Sequence, residues 1–344
     1  MLFKNVDYLR WIDFILINGC SCNASGLYYG KAGLSLILSE LALFYRNDYL
    51  EYHAFKLLQE ALITKIKKIY FSDGLAGIGF TLLYLIEKKR VEAEYLEIFG
   101  KSHQKIIEVI SHYNVGCHKF SETLGLYFYL HMTGKFLPAR IFQKINSRFL
   151  INIEQYFENT YAGDLDVKSS CKFYEDVSLF IGFQNLAFLQ PTSTEKIMNL
   201  IKVKLSQAIW SDFLCEQVNL GIHLIRFGLK WQVQELIQIG EYITGYVMKN
   251  SWPELLTLRQ RTAIICNLSY LIQNKAYSAY RSVCEKLIDS LTAADAKEEE
   301  FNVCNSIYYK NLSPSLYEGI PRLLLTALHT RNSVHSSLDW ILCN

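Results

Sequence analysis

Apolar positions along the chain fall into two kinds of segment. From His53 to Lys68, the residues Phe55, Leu58, Ala61, Leu62 and Ile66 recur at three- and four-residue steps, with Lys56, Gln59, Glu60, Lys67 and Lys68 between them. That period puts one apolar stripe on a helix lying at a surface. The segment Gly77–Ile86, in contrast, has no polar side, which suits a helix enclosed by others. The two kinds alternate, with further striped segments at Glu92–His112, Pro138–Gln155, Ser193–Ile209, Leu229–Val247 and Lys275–Leu291. Pro138, Pro191, Pro253, Pro314 and Pro321 fall near the boundaries, where helices tolerate proline. The pattern predicts an all-α protein, one domain over residues 1–344.

The enclosed segments also resemble one another. Leu27–Leu38, LYYGKAGLSLIL, carries Gly30 and Gly33, and Phe71–Phe80 repeats the pair as Gly74 and Gly77, 44 residues later. A third copy, Phe120–Leu130, keeps Gly125. Fainter copies follow at Ile181–Leu189, Val218–Leu224 and Thr262–Leu268. The last, Ser315–Leu328, has Gly319, with Arg322 where the second glycine would stand. Glycine at a helix start lets the backbone pass close to a neighbour, so Gly30, Gly33, Gly74, Gly77, Gly125 and Gly319 are expected to begin helices. Ser72 and Asp73 offer capping oxygens, and Pro321 suits a first helical turn. Seven enclosed and seven striped helices predict an α/α toroid, a double ring without exposed end repeats.

Composition narrows the class. Of 344 residues, 51% are hydrophobic and 20% charged, enough apolar material for a sizeable core. A net charge of +2 gives no broad cationic field, which argues against nucleic acid as a partner. Lys65–Lys68 and Lys88–Arg90 read as solvated helix ends that complement the helix dipole. No apolar run reaches the roughly 20 residues of a membrane span, and a cytoplasmic location is expected. Nine cysteines over a long chain suggest reduced thiols rather than a disulfide framework. Cys20 and Cys22 lack zinc spacing, and Cys117–His118 has no visible third ligand.

The helix-start motifs GLYYGKAGLSLIL, FSDGLAGIG and SLYEGIPRLLLTAL resemble those of lanthionine synthetase C-like (LanC-like) proteins. The resemblance implies an α/α toroid that receives a ribosomal precursor peptide, with zinc activating a peptide cysteine to attack dehydroalanine or dehydrobutyrine. A free thiol is only about 3% thiolate at pH 7, and zinc removes its proton outright. The family's ligands are a cysteine ahead of the fifth inner helix and a Cys-His pair ahead of the sixth, leaving an open position for the substrate thiol. In this chain the corresponding residues are Glu216, with Cys215 one residue early, and Gln260–Arg261; Cys266 lies inside the following helix. Ile181 stands where the family carries a histidine ahead of its fourth inner helix. The resemblance with these substitutions implies a pseudoenzyme that holds no zinc and binds a precursor peptide or a dehydratase-type modification enzyme.

Other residues keep two readings. Cys215, Glu216 and His118 are weak catalytic candidates, and His223 is either a core histidine or a base. Arg261 and Arg322 are either contacts for an acidic leader peptide or carboxylate or salt-bridge partners of a neighbouring loop, and Tyr28 and Tyr29, with Tyr308–Tyr309, offer aromatic surface for a peptide or for packing. An active cyclase with a displaced or absent zinc site is one alternative function. A glycan-processing toroid is another; it requires paired carboxylates, for which Asp73, Glu122, Asp176 and Glu318 are available.

Overall fold

A computed structural model of the chain describes residues 8–113, 119–185, 195–207, 214–249 and 257–286, together with 321, 322, 324–326 and 328. Among them, the side chains of residues 8–11, 20, 167, 206, 207, 214–216, 246–249 and 258 lie outside the description. The elements, in order, are α1 (Tyr8–Ser21), α2 (Lys31–Tyr45), α3 (Asp48–Ile63), α4 (Leu75–Glu87), α5 (Tyr95–Ser111), α6 (Phe120–Thr133), α7 (Ala139–Thr160), α8 (Val167–Asn185), α9 (Glu195–Gln207), α10 (Leu214–Trp231), α11 (Gln234–Lys249) and α12 (Leu258–Leu271). Short 3-10 turns occupy Gly134–Phe136 and Lys275–Tyr280. No strand occurs among the described residues.

Burial separates the helices into the two expected kinds. Every residue of α4 from Leu75 to Leu85 is buried, as is nearly all of α2 from Ala32 to Ala42 and of α6 from Thr123 to Leu130. Single stripes are buried on Ile145, Phe149, Ile153 and Phe157 of α7, and on Ile197, Ile201 and Leu205 of α9. Three- and four-residue steps put each stripe on one face.

The chain separates into two compact units, residues 1–106 with 252–343, and residues 107–251 with 344. In the first, Arg46, left-handed at φ 52°, ends α2 and turns the chain into α3. Asn47 caps α3 by accepting from the amides of Tyr49 and Leu50 at 3.0 and 3.3 Å. The buried Ser35 hydroxyl donates to Ala54 O at 2.7 Å and ties the two helices together. Tyr84 Oη donates to Glu40 Oε1 at 2.9 Å and joins α4 to α2.

In the second unit, Tyr127 of α6 stacks on Phe149 of α7 and Phe183 of α8, with ring centres 4.9 and 5.0 Å apart. Helices α10 and α11 cross closely. A Cβ on Gly240 would sit 2.6 Å from Gly221 O, and one on Gly221 would sit 3.0 Å from Gly240 O. Only glycine admits that approach.

Several expectations are corrected. Helix α3 starts at Asp48 and stops at Ile63, so Lys65–Lys68 lie in the connection beyond it rather than at a helix end. Its buried stripe is Leu50, Ala54, Leu57, Leu58 and Ala61, and Phe55 faces solvent. Gly125 lies inside α6 rather than at its start, and the chain enters this helix directly from extended Lys119. The fourth copy is displaced further. Helix α8 begins near Asp166, whose carboxylate accepts from Ser169 N at 2.7 Å, and Ile181 lies in its last turns. Val218–Leu224 and Thr262–Leu268 are likewise inside α10 and α12.

Candidate functional site

The loops ahead of α2 and α4 are built alike. Lys31 N donates to Ala24 O at 2.9 Å and Ala32 N to Ser25 O at 3.3 Å; 44 residues on, Leu75 N donates to Lys68 O at 3.0 Å and Ala76 N to Ile69 O at 3.2 Å. Each loop therefore folds back to satisfy the first donors of its own helix, which otherwise lack partners. Gly30 and Gly74 occupy the N-cap positions with extended backbone and no side-chain cap bond. The capping oxygens expected from Ser72 and Asp73 are thus replaced by backbone carbonyls, while Asp73 pairs with Lys68 at 2.5 Å. A Cβ on Gly74 would meet Tyr70 N at 2.5 Å and Lys68 O at 2.7 Å, so the returning loop leaves no room for one. Gly33 and Gly77 are buried in the first turns of the two helices.

The two loops also lock together. Tyr28 N donates to Ser72 O at 2.8 Å, and a Cβ on Gly26 would lie 2.4 Å from Asp73 Cα. On this paired surface Tyr29 is 46% exposed, and Tyr28 is half-buried with its ring edge-on to Phe71 at 6.4 Å.

The first turn of α12 holds Gln260 and Arg261. Thr257 N donates to Gln260 Oε1 at 3.0 Å, and Gln260 N donates to Thr257 Oγ1 at 3.3 Å. This is a capping box, whose sequence signal is Thr257-x-x-Gln260. Arg261 is half-buried. Arg322 is 0% exposed, and its Nε donates to Thr262 Oγ1 at 3.0 Å, which corrects its expected role as a peptide contact: its guanidinium is a buried link between α12 and residues 321–328. Cys266 is buried beside that link, with its thiol 3.6 Å from Thr326 Oγ1. Cys22, Cys171, Cys266 and Cys284 are free thiols.

In the second unit a buried polar cluster surrounds Asp176 of α8. Tyr156 and Tyr161 each donate a phenol hydrogen bond to Asp176 Oδ2 at 2.6 Å. Burial pushes the Asp176 carboxyl up to about 6 despite these bonds, and pushes both phenols up as well. The three residues come from α8 and the C-terminal end of α7, and no local motif announces them. His131 of α6 lies 3.0 Å through Nε2 from Asn146 Oδ1, which also accepts from Tyr127 Oη; burial lowers this imidazole to about 4. It is neutral at pH 7. His223 is buried within α10.

His118, Cys117, Gly319, Glu318 and Tyr308–Tyr309 lie outside the described residues, as do the side chains of Cys215 and Glu216 in α10. Of the carboxylates considered for glycan chemistry, Asp73 is taken up by Lys68 and Asp176 by two phenols. Among the described residues, no three His, Cys, Asp or Glu side chains group to hold a metal ion.

Comparison with solved structures finds nisin cyclase, with a TM-score of 0.55 and 13% identity, over 98% of this chain and 98% of that chain. This chain shares the fold of nisin cyclase, an α/α toroid. At 13% identity the likeness to nisin cyclase is one of fold. No family model matches the chain, and no curated protein matches it. No helix among the described residues is long and apolar enough to cross a membrane.

Proposed function

We propose that this chain is a LanC-like protein of ribosomal peptide maturation that binds a precursor peptide or a partner modification enzyme without zinc-dependent thioether formation. The likeness to nisin cyclase along the whole chain supports the setting. The sequence between the described helices supports the rest. The stretch between α11 and α12, residues 250–257, reads Asn-Ser-Trp-Pro-Glu-Leu-Leu-Thr, and that between α9 and α10, residues 208–213, reads Ala-Ile-Trp-Ser-Asp-Phe. Neither contains a cysteine or histidine, and Cys215 follows the second of them by two residues. Gln260 fits a zinc ion poorly. Its amide oxygen is neutral and already accepts from Thr257, and Arg261 beside it adds a repelling charge.

Peptide contact in this reading falls to Tyr28, Tyr29 and Arg261, in a cytoplasmic protein. The test combines metal analysis of the purified protein with incubation of a dehydrated, cysteine-containing precursor. The expected outcome is retention of the precursor on the immobilised protein, no thioether in the mass spectrum after alkylation, and far less than one equivalent of zinc. About one equivalent of zinc, lost on Cys215→Ala together with thioether formation, would establish a displaced cyclase site instead.

A further inference from the structure

Helix α3 presents an unusual outward face. Residues 48, 52, 55, 59 and 63, flanked by 49 and 56, form one stripe at steps of three and four, opposite the buried Leu50, Ala54, Leu57, Leu58 and Ala61. A surface helix ordinarily places charge on such a stripe. Here Tyr49 is 60% exposed, Tyr52 62%, Phe55 46% and Ile63 79%. His53 makes edge contacts with both tyrosine rings, at 4.4 and 5.3 Å between centres. Leu43 and Phe44, at the end of α2 that leads into α3, are exposed as well.

With aromatic side chains carrying roughly 150–250 Å² each, Tyr52, Phe55 and Ile63 of the stripe and the flanking Tyr49 leave on the order of 500 Å² in water. Two such faces, with their polar flanks and the exposed Leu43 and Phe44 at the adjoining end of α2, come to the order of the ~1,200 Å² at which specific interfaces begin. The charges select the occupant. Asp48 and Lys56 stand four residues before and after Tyr52, both exposed, and neither has an ion-pair partner among the described residues. The other charges of this helix with partners, Glu51 with Arg90 and Glu60 with Lys31, lie beside the stripe. The arrangement is self-complementary when reversed end to end about Tyr52.

We propose that α3 is a self-association surface, on which a second copy of this chain packs its own α3 antiparallel about a two-fold axis at Tyr52. Asp48 then faces the partner's Lys56 at both ends of the contact, Tyr49 faces the partner's Phe55, and the two Tyr52 rings meet on the axis. This is the reciprocal pairing that a two-fold interface requires.

Sedimentation velocity of the full chain over roughly 1–100 µM, suited to a weak interface at the lower size limit, tests the proposal, with thermal melts to verify that each variant folds. The wild type should show a monomer–dimer equilibrium, and Tyr52→Glu, which sets like charges on the axis, should be monomeric. Asp48→Lys and Lys56→Asp should each weaken dimerisation by at least about tenfold. The double variant, which restores opposite charges across the interface, should return close to wild type. A wild type that is monomeric throughout, a dimer that survives Tyr52→Glu, or a double variant no tighter than the single ones would each overturn it.

Discussion

Gly77→Ala sets two effects of opposite sign against each other. In a helix interior alanine is favoured over glycine by about 1 kcal/mol, so propensity alone makes the substitution stabilising. The packing opposes this. The new Cβ would stand 2.2 Å from Phe71 O and 2.7 Å from Leu27 Cβ. Phe71 cannot retreat cheaply, because Lys68 and Ile69 in the same loop hold the first donors of α4. Overpacking of this kind costs about 3 kcal/mol, the upper end of its usual range, leaving a net loss of about 2 kcal/mol. Gly100→Ala in α5 supplies the control. A Cβ there meets only Leu96 Cβ at 3.9 Å, so propensity should prevail by roughly 0.5–1 kcal/mol. With about 2–4 °C per kcal/mol, thermal melts should place Gly77→Ala roughly 4–8 °C below wild type and Gly100→Ala slightly above it. A Gly77→Ala protein as stable as wild type, beside a stabilised Gly100→Ala, would refute the interlocked packing of the loops.

Two further outcomes follow from the polar clusters. Because burial holds Asp176 up to about 6, above its ordinary 3.8, the folded chain favours the protonated form; this group's contribution to stability therefore grows as pH falls from about 6 toward 4 and is lost as pH rises through that window. Asp176→Asn should abolish that slope, so urea midpoints of wild type and variant should diverge between pH 4.5 and 7, and parallel profiles would count against the assigned burial. Gln260→Ala should cost about 1 kcal/mol by opening the capping box, whereas Gln260→Glu, which keeps the cap and suits the helix dipole, should melt at or slightly above wild type.

How far the sequence could be read depended on where its residues meet their partners. The starts of α2 and α4 were legible because loop, cap and glycine pair lie within ten residues of chain, and the same hydrogen bonds recur 44 residues apart. The later copies were not. Gly125 and Gly221 resemble the motif locally, yet Gly125 lies inside α6 and Gly221 is kept for the crossing with Gly240, whose sequence separation hides it. Periodicity located α3 but put Phe55 on its buried side, because the true stripe begins at Leu50, ahead of the window that was read. Charge alone suggests a binding face for Arg322; its hydroxyl partner Thr262, sixty residues away, shows that the charge is internal. The Asp176 cluster depends on α7 meeting α8, and nothing in either segment alone signals it.

Exposed amide groups at the start of a helix are a natural cradle for phosphate or carboxylate. In α2 and α4 part of that capacity is already spent, since the carbonyls of Ala24, Ser25, Lys68 and Ile69 occupy the first two amides of each helix. An anionic group approaching the paired loops would have to break two backbone bonds per helix to reach them. Selectivity at this end of the first unit therefore leans more on side chains, on the Tyr29 ring and the exposed Lys65 and Lys67, than on helix termini. The same closure makes the seven-residue return of each loop a fixed length, so that lengthening it by even one residue would leave the helix amides without their acceptors.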